Sequence, residues 1–293
     1  MEQFTGSITA LVTPFREGKV DEIALKRLVN RQIEAGTKAL VPVGTTGESA
    51  TLNDEEHERV IALCIEAAGG RAPVMAGVGS NDTAYSISMA QRVESLGANA
   101  LLAVTGYYNR PNQRGLLGHY QALHDATSLP IYIYNIPART TVTISVETLA
   151  RLSELPRIAG VKDATGDLAR VALQRRHCAK DFIQLSGEDM TAVGFNAMGG
   201  RGCISVTSNV APELCAQMHE ACQRGDYAEA LSFQDRLAPL HDALFSDASP
   251  APVKYALSLL GLCTDEARLP MAPASDEAKE KVQAALKELD FID

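Results

Sequence analysis

Short apolar runs alternate with amphipathic stretches along most of the chain. Eight runs have the length and composition of strands buried on both faces: residues 8–13, 39–43, 74–78, 100–105, 131–135, 158–162, 183–186 and 203–206. Between them the apolar positions recur at helical spacing. After the first run Asp21 is placed to cap a helix, Leu25, Leu28, Val29 and Ile33 share one face, and Gly36 is the stop. After the second, Asn53 and Glu56 have capping-box spacing, Val60, Leu63, Cys64 and Ala67 line one face, and Gly69-Gly70 ends the helix. Asp82 opens the next helix and Gly97 closes it; weaker versions of the pattern follow the later runs.

Eight strand–helix repeats over about 220 residues predict a (β/α)8 barrel, a TIM barrel, whose usual size is about 250 residues. An open doubly wound sheet is the alternative, although it more often has five or six strands. From about residue 225 onward strand runs cease, and the clearest remaining helix carries Val282, Ala285, Leu286 and Leu289 on one face. The expected organisation is a catalytic barrel over residues 1–224 and a helical C-terminal extension over 225–293.

Composition narrows the functional classes. The 293 residues include 27 Lys plus Arg against 36 Asp plus Glu, a net charge of -9. This balance disfavours nonspecific binding to nucleic acid or anionic membrane, both of which need a basic face. No apolar run approaches the roughly 20 residues of a membrane span. The opening Met1-Glu2-Gln3 is not basic and the apolar stretch 8–12 is too short for a leader, so a cytoplasmic location is expected. Six scattered cysteines without a Cys-x-x-Cys pair read as reduced, mostly buried thiols.

In such barrels the chemistry lies where strands run into βα loops. Those junctions hold Gly44-Thr45-Thr46-Gly47-Glu48-Ser49, Gly106-Tyr107-Tyr108-Asn109, Tyr134-Asn135 with Pro137 and Arg139, Lys162, Gly187-Glu188-Asp189, and Ser205-Val206-Thr207. Hydroxyls, phenols, one lysine and one arginine converge on a single rim. Lys162 closes the run Ile158-Ala159-Gly160-Val161, and strict alternation sets it on the side of Ile158 and Gly160. A free lysine is neutral in only about one molecule in 2,500 at pH 7, and burial favours the neutral, nucleophilic form. Position alone leaves two roles open: a Schiff-base amine, or a rim cation paired with Asp163 or Glu188. Tyr134 on its own reads first as a core tyrosine with a satisfied hydroxyl, and only second as a proton relay beside an iminium-forming lysine. The 44–47 turn offers N–H groups and hydroxyls suited to a carboxylate, and Arg139 can pair bidentately with another. Gly77-Val78-Gly79 lacks the rest of a dinucleotide fingerprint, no glycine-rich phosphate loop follows the eighth run, and the six histidines have no metal-ligand spacing. Lysine chemistry with no cofactor and no metal is what these residues favour.

Taken in order, Gly44-Thr45-Thr46-Gly47-Glu48, Tyr134-Asn135-Ile136-Pro137 and Lys162-Asp163-Ala164-Thr165-Gly166 resemble the pyruvate-dependent class I aldolase superfamily, which includes dihydrodipicolinate synthases, N-acetylneuraminate lyases and ketodeoxygluconate-type aldolases. The likeness extends into the tail at Pro252-Val253-Lys254 and Arg268-Leu269-Pro270. Tyr107-Tyr108-Asn109-Arg110-Pro111 and Pro137-Ala138-Arg139-Thr140 resemble the synthase branch, and neuraminate lyases differ at the arginine. The resemblance implies that Lys162 forms the pyruvate imine. It implies a proton relay of Tyr134, Thr45 and Tyr108, with Tyr108 supplied by a neighbouring subunit. Thr46 would hold the pyruvate carboxylate, Arg139 the carboxylate of L-aspartate 4-semialdehyde, and Gly187 and Ile204 would line the pocket. It further implies a homotetramer acting in lysine (diaminopimelate) biosynthesis.

Several positions depart from the family's common pattern. Gly106 stands where proline is usual, Asp163 where glutamate is, Thr141 where a small residue often follows, and Ser249 where asparagine is common. Tyr85 replaces a glutamate of the effector pocket in lysine-inhibited members, and Asp54 a frequent histidine, so weak or absent inhibition by L-lysine is expected. Two rivals remain at this stage: a sibling aldolase acting on a sugar acid, and a non-catalytic barrel that binds keto acids.

Overall fold

The computed structural model describes residues 4–293. Its barrel strands are β1 (Gly6–Ala10), β2 (Ala39–Val41), β3 (Met75–Gly77), β4 (Ala100–Val104), β5 (Ile131–Asn135), β6 (Ile158–Asp163), β7 (Ile183–Ser186) and β8 (Gly202–Ser205). They pair in parallel in the order β2-β1-β8-β7-β6-β5-β4-β3. The two ends of that series meet at a parallel bridge between Leu40 and Val74. Leu40 N–H donates to the Pro73 carbonyl at 3.0 Å and Gly77 N–H to that of Pro42 at 3.3 Å, which closes the sheet. Closure removes the exposed edges of an open sheet and identifies the fold as a TIM barrel.

The first three helices form as their end residues dictate. Helices α1 (Glu22–Glu34), α2 (Asp54–Ala68) and α3 (Thr83–Ser95) begin after Asp21, Asn53 and Asp82, whose side chains accept from the N–H groups of Ala24, Glu56 and Ala84. Asn53 and Glu56 make the full reciprocal box. Gly69 caps α2 at φ 55°, a left-handed conformation that favours glycine. Helices α4 (Gln113–Ala126), α5 (Val146–Ser153), α6 (Ala169–His177), α7 (Ala192–Ala197) and α8 (Pro212–Arg224) complete the outer ring. The chain turns at Gly225 into α9 (Tyr227–Leu244), α10 (Ala251–Leu259) and α11 (Asp276–Glu288).

Three large apolar clusters follow from this arrangement. The barrel interior holds Phe4, Ile8, Val41, Met75, Leu102, Tyr132, Tyr134, Leu185 and Ile204. A second cluster lies between strands and outer helices, with Leu25, Leu40, Ile61, Leu101, Ile133 and Val161. The third joins the tail to the barrel, setting Leu237, Leu240, Val282 and Leu286 against Leu28, Cys203, Cys215 and Met218. All six cysteines are free and buried.

The backbone corrects three expectations. β2 ends at Val41, two residues early, because Val43 adopts φ 51° and cannot continue the ladder. A short hairpin, Phe15–Arg16 with Lys19–Val20, adds two strands outside the eight runs; its turn residues Glu17 and Gly18 both have positive φ, as tight hairpin turns require. Lys162 does not share a side with Ile158. Ile131 pairs with Ile158 but Tyr132 with Gly160, so Ala159 is an extra residue that shifts the alternation. Ile158 therefore packs in the outer cluster, while Tyr132 packs inward over Gly160.

Burial also makes stability pH-dependent. His219, on α8, is enclosed, and desolvation pulls its pKa from 6.5 to about 4. The unfolded chain therefore takes up this proton at a higher pH than the folded one. The stabilisation is complete above pH 6.5 and is lost as pH falls toward 4. Thermal melts are expected to show a smaller drop over that interval for His219→Gln than for the parent protein; identical slopes would contradict the assignment.

Candidate active site

Lys162 lies opposite Tyr134 on β5 and Leu185 on β7. Its side chain is 5 % exposed, and Nζ sits 4.1 Å from the centre of the Tyr134 ring. The neighbouring Asp163 carboxylate is engaged elsewhere: it accepts from Arg170 Nε at 3.1 Å, Gln174 Nε2 at 2.7 Å and the Thr165 hydroxyl at 2.6 Å. Among the described residues Lys162 has no carboxylate within ion-pair distance. Gly187 gives the amine its space, since a Cβ there would lie 3.1 Å from Lys162 Cε and 2.6 Å from Ala164 Cβ. Ile204, on β8, is buried in the same inner cluster. Glu188 senses this environment. Burial and Asp189 push its carboxyl above the usual range, while Lys162 and Arg139 pull it back.

The turn after β2 is strained. Val43 and Glu48 both take left-handed φ, 51° and 55°, at a cost of about 1–3 kcal/mol each. Thr45 lies half-buried in this turn and Thr46 is buried. The close approach demands glycine at two positions, because a Cβ on Gly77 would fall 2.3 Å from the Val43 carbonyl and one on Gly47 2.9 Å from Val43 N. The Thr13 hydroxyl donates to the Gly47 carbonyl at 2.7 Å.

A cavity of about 710 Å³ opens over this rim. Thr45, Tyr134, Arg139, Tyr107 and Tyr108 share its wall, which continues to Ser49, His57 and Tyr85. Thr46, Lys162, Gly187 and Ile204 are not on that wall; Lys162 stacks on Tyr134, which is. Arg139 sits in the short helical turn Pro137–Thr140 that follows β5 and is exposed. Tyr108 is 90 % exposed and holds φ 67°, so the loop presents it outward.

The unusual positions acquire physical reasons. The bare Cα of Gly106 receives the ring of Pro111, where a Cβ would be 2.9 Å from Pro111 Cγ. Thr141 has φ 57° as the left-handed cap of its turn, a conformation that is costly for a β-branched residue. Sequence alone assigns no role to Glu48 or to the tail residues Lys254 and Arg268. In the structure Glu48 forms a buried ion pair with Lys254 and accepts from Arg268 N–H at 2.9 Å. Their signal was a charged residue inside otherwise apolar or proline-bound segments, visible but without an address.

A closed parallel barrel with a buried lysine at a strand end, stacked on a phenol and without an ion-pair partner among the described residues, fits a Schiff-base aldolase type of enzyme. Residues 3–289 match the Dihydrodipicolinate synthetase family, and the chain belongs to it. It is 56% identical over 289 residues to the 4-hydroxy-tetrahydrodipicolinate synthase of Phenylobacterium zucineum, covering 99% of this chain and 98% of that one. Identity to the enzyme of the same name from Ruegeria pomeroyi is 58% over 284 residues, 97% of this chain and 98% of the other. Among solved structures, dihydrodipicolinate synthase from Aquifex aeolicus superposes with a TM-score of 0.97 at 40% identity, covering 98% of this chain and 99% of that one. The chloride-inhibited enzyme from Acinetobacter baumannii, complexed with pyruvate, has a TM-score of 0.97 at 41% identity, covering 99% and 100%.

Proposed function

We propose that the chain is a 4-hydroxy-tetrahydrodipicolinate synthase that condenses pyruvate with L-aspartate 4-semialdehyde in lysine biosynthesis, with Lys162 as the nucleophile. The observation that supports it most is a buried amine on the ring of Tyr134 whose nearest sequence carboxylate is committed elsewhere. Lys162 Nζ attacks C2 of pyruvate, and the carbinolamine loses water to give an iminium. Tyr134, with Thr45 and Tyr108, carries protons on and off the departing oxygen. Loss of a methyl proton gives the enamine, whose carbon bonds to the aldehyde carbon while the aldehyde oxygen takes a proton. The amino group of the second substrate then attacks the imine carbon, closing the ring and releasing Lys162. Thr46 and the backbone of its turn hold the pyruvate carboxylate, Arg139 the carboxylate of the semialdehyde, and Gly187 and Ile204 pack the wall around the imine.

The test is turnover of pyruvate with the semialdehyde, coupled to a reductase, together with borohydride trapping on the Lys162 peptide. No turnover there, with turnover of a sugar acid, would support the sibling aldolase; no adduct at all would support a mere keto-acid binder. Arg139→Ala is expected to raise KM for the semialdehyde by about 10²-fold while leaving KM for pyruvate within about threefold. Equal rises in both would remove its assigned role.

Two further assignments belong to this reading. The outward Tyr108 supports a homotetramer in which a second copy covers it. Action in the cytoplasm is part of the same proposal, and no helix among the described residues is long and apolar enough to cross a membrane. The Tyr85 hydroxyl donates to Asp54 at 2.7 Å and Arg92 bonds both Asp54 and Glu58 at 2.9 Å, so this carboxylate is already partnered. L-lysine is accordingly expected to inhibit weakly or not at all; inhibition at micromolar concentrations in steady-state assays would refute this.

A further inference from the structure

The turn bearing Thr45 and Thr46 is held from outside the barrel. Lys254, on α10 of the tail, is 0 % exposed and pairs through Nζ with Glu48 Oε1. The same Nζ donates to the Glu266 carbonyl at 2.7 Å and sits 4.1 Å from the centre of the Phe15 ring. Arg268 donates through its backbone N–H to Glu48 Oε2 at 2.9 Å. Its guanidinium bonds Glu56 at 2.6 Å, the Thr51 carbonyl at 3.0 Å and the Gly18 carbonyl at 2.7 Å, and covers the Phe15 ring at 4.3 Å. Phe15 belongs to the small hairpin and lies in reach of both cations, so hairpin, tail and turn meet at one carboxylate.

Glu48 is thus a left-handed residue whose side chain is anchored at both oxygens by groups more than 200 positions away in sequence. A conformation of this kind persists only where its surroundings over-determine it. The buried pair is also a demanding device, since charges removed from water hold only in good geometry. A surface turn that merely joined β2 to α2 would need neither.

We propose that Lys254 and Arg268 are positioning residues for the substrate site: by gripping Glu48 they fix, from the C-terminal tail, the backbone and hydroxyl that receive the pyruvate carboxylate. This rests on the reading of the Thr45–Thr46 turn as the carboxylate site. The tail is then part of the pyruvate-binding apparatus rather than an appendage to the barrel.

The intact enzyme is tested with Lys254→Met, with the neutral pair Glu48→Gln/Lys254→Met, and with Thr46→Ala as a reference, well below the melting temperature of each. Lys254→Met is expected to raise KM for pyruvate about tenfold or more, with KM for the semialdehyde within about twofold. The neutral pair, whose carboxamide oxygen still accepts from Arg268 N–H, is expected to recover part of that loss, leaving about a threefold rise. A folded Lys254→Met protein with unchanged pyruvate KM, whatever its melting temperature, overturns the proposal. If that variant does not fold, the neutral pair decides: a raised pyruvate KM supports positioning and an unchanged one rejects it. Thr46→Ala separates the two readings. If it leaves pyruvate KM unchanged, the carboxylate assignment of the turn fails and the positioning role with it; if it raises KM while Lys254→Met does not, only the grip from the tail fails.

Discussion

Lys162→Ala is expected to fold normally and to lose about 10⁴-fold or more of its turnover, the scale seen when a covalent nucleophile is removed. Two properties of the site make the effect this large and this clean. The amine is enclosed within the barrel on the Tyr134 ring, so solvent cannot supply a substitute nucleophile in the same geometry. It also has no ion-pair partner among the described residues, so truncation leaves no carboxylate orphaned. The melting temperature should therefore stay level or rise. Mass spectrometry after borohydride reduction with pyruvate should find no adduct on the peptide spanning position 162. Turnover within tenfold of the parent enzyme would end the Schiff-base reading at this residue.

Tyr134→Phe should separate the ring from its hydroxyl. The ring is the surface on which Lys162 rests, and phenylalanine preserves it. The hydroxyl is the proposed proton carrier for carbinolamine formation and collapse. Its removal is expected to lower kcat by about 10²–10³-fold, within the usual range for a lost general acid–base group. KM for pyruvate should move little, because the carboxylate contacts lie in the turn after β2. Rapid-quench trapping should show slower imine formation with the same final extent. A full-rate enzyme would return Tyr134 to the role of a core aromatic.

Local chemistry made much of this molecule readable in advance. Asp21, Asn53 with Glu56, Asp82, Gly36, Gly69 and Gly97 mark helix ends because capping and left-handed backbone depend on the residue itself and its near neighbours. The apolar runs announced the strands for the same reason, since a strand covered on both faces has no polar side to show. Candidate residues gathered at strand ends once a barrel was assumed, because every such end points to one rim.

Choice among equally plausible partners needed the third dimension. The sequence offers Lys162 two carboxylates, Asp163 and Glu188; the fold turns Asp163 toward Arg170 and Gln174, and leaves the amine to the Tyr134 ring. The extra residue at Ala159 reversed the side assigned to Ile158, because pairing with β5, not alternation within β6, sets the register. Glu48, Lys254 and Arg268 gave no hint of one another at separations above 200 residues.

By itself, then, the chain determined where helices begin and stop, which segments become strands, and which chemical groups reach the rim, all of which depend on energies local to a few residues. Only the closed tertiary structure decided which of those groups stay dry, which are neutralised, and how the tail grips the turn after β2. Desolvation and ion pairing depend on what surrounds a group in space, and neighbours in space are brought together by the whole fold.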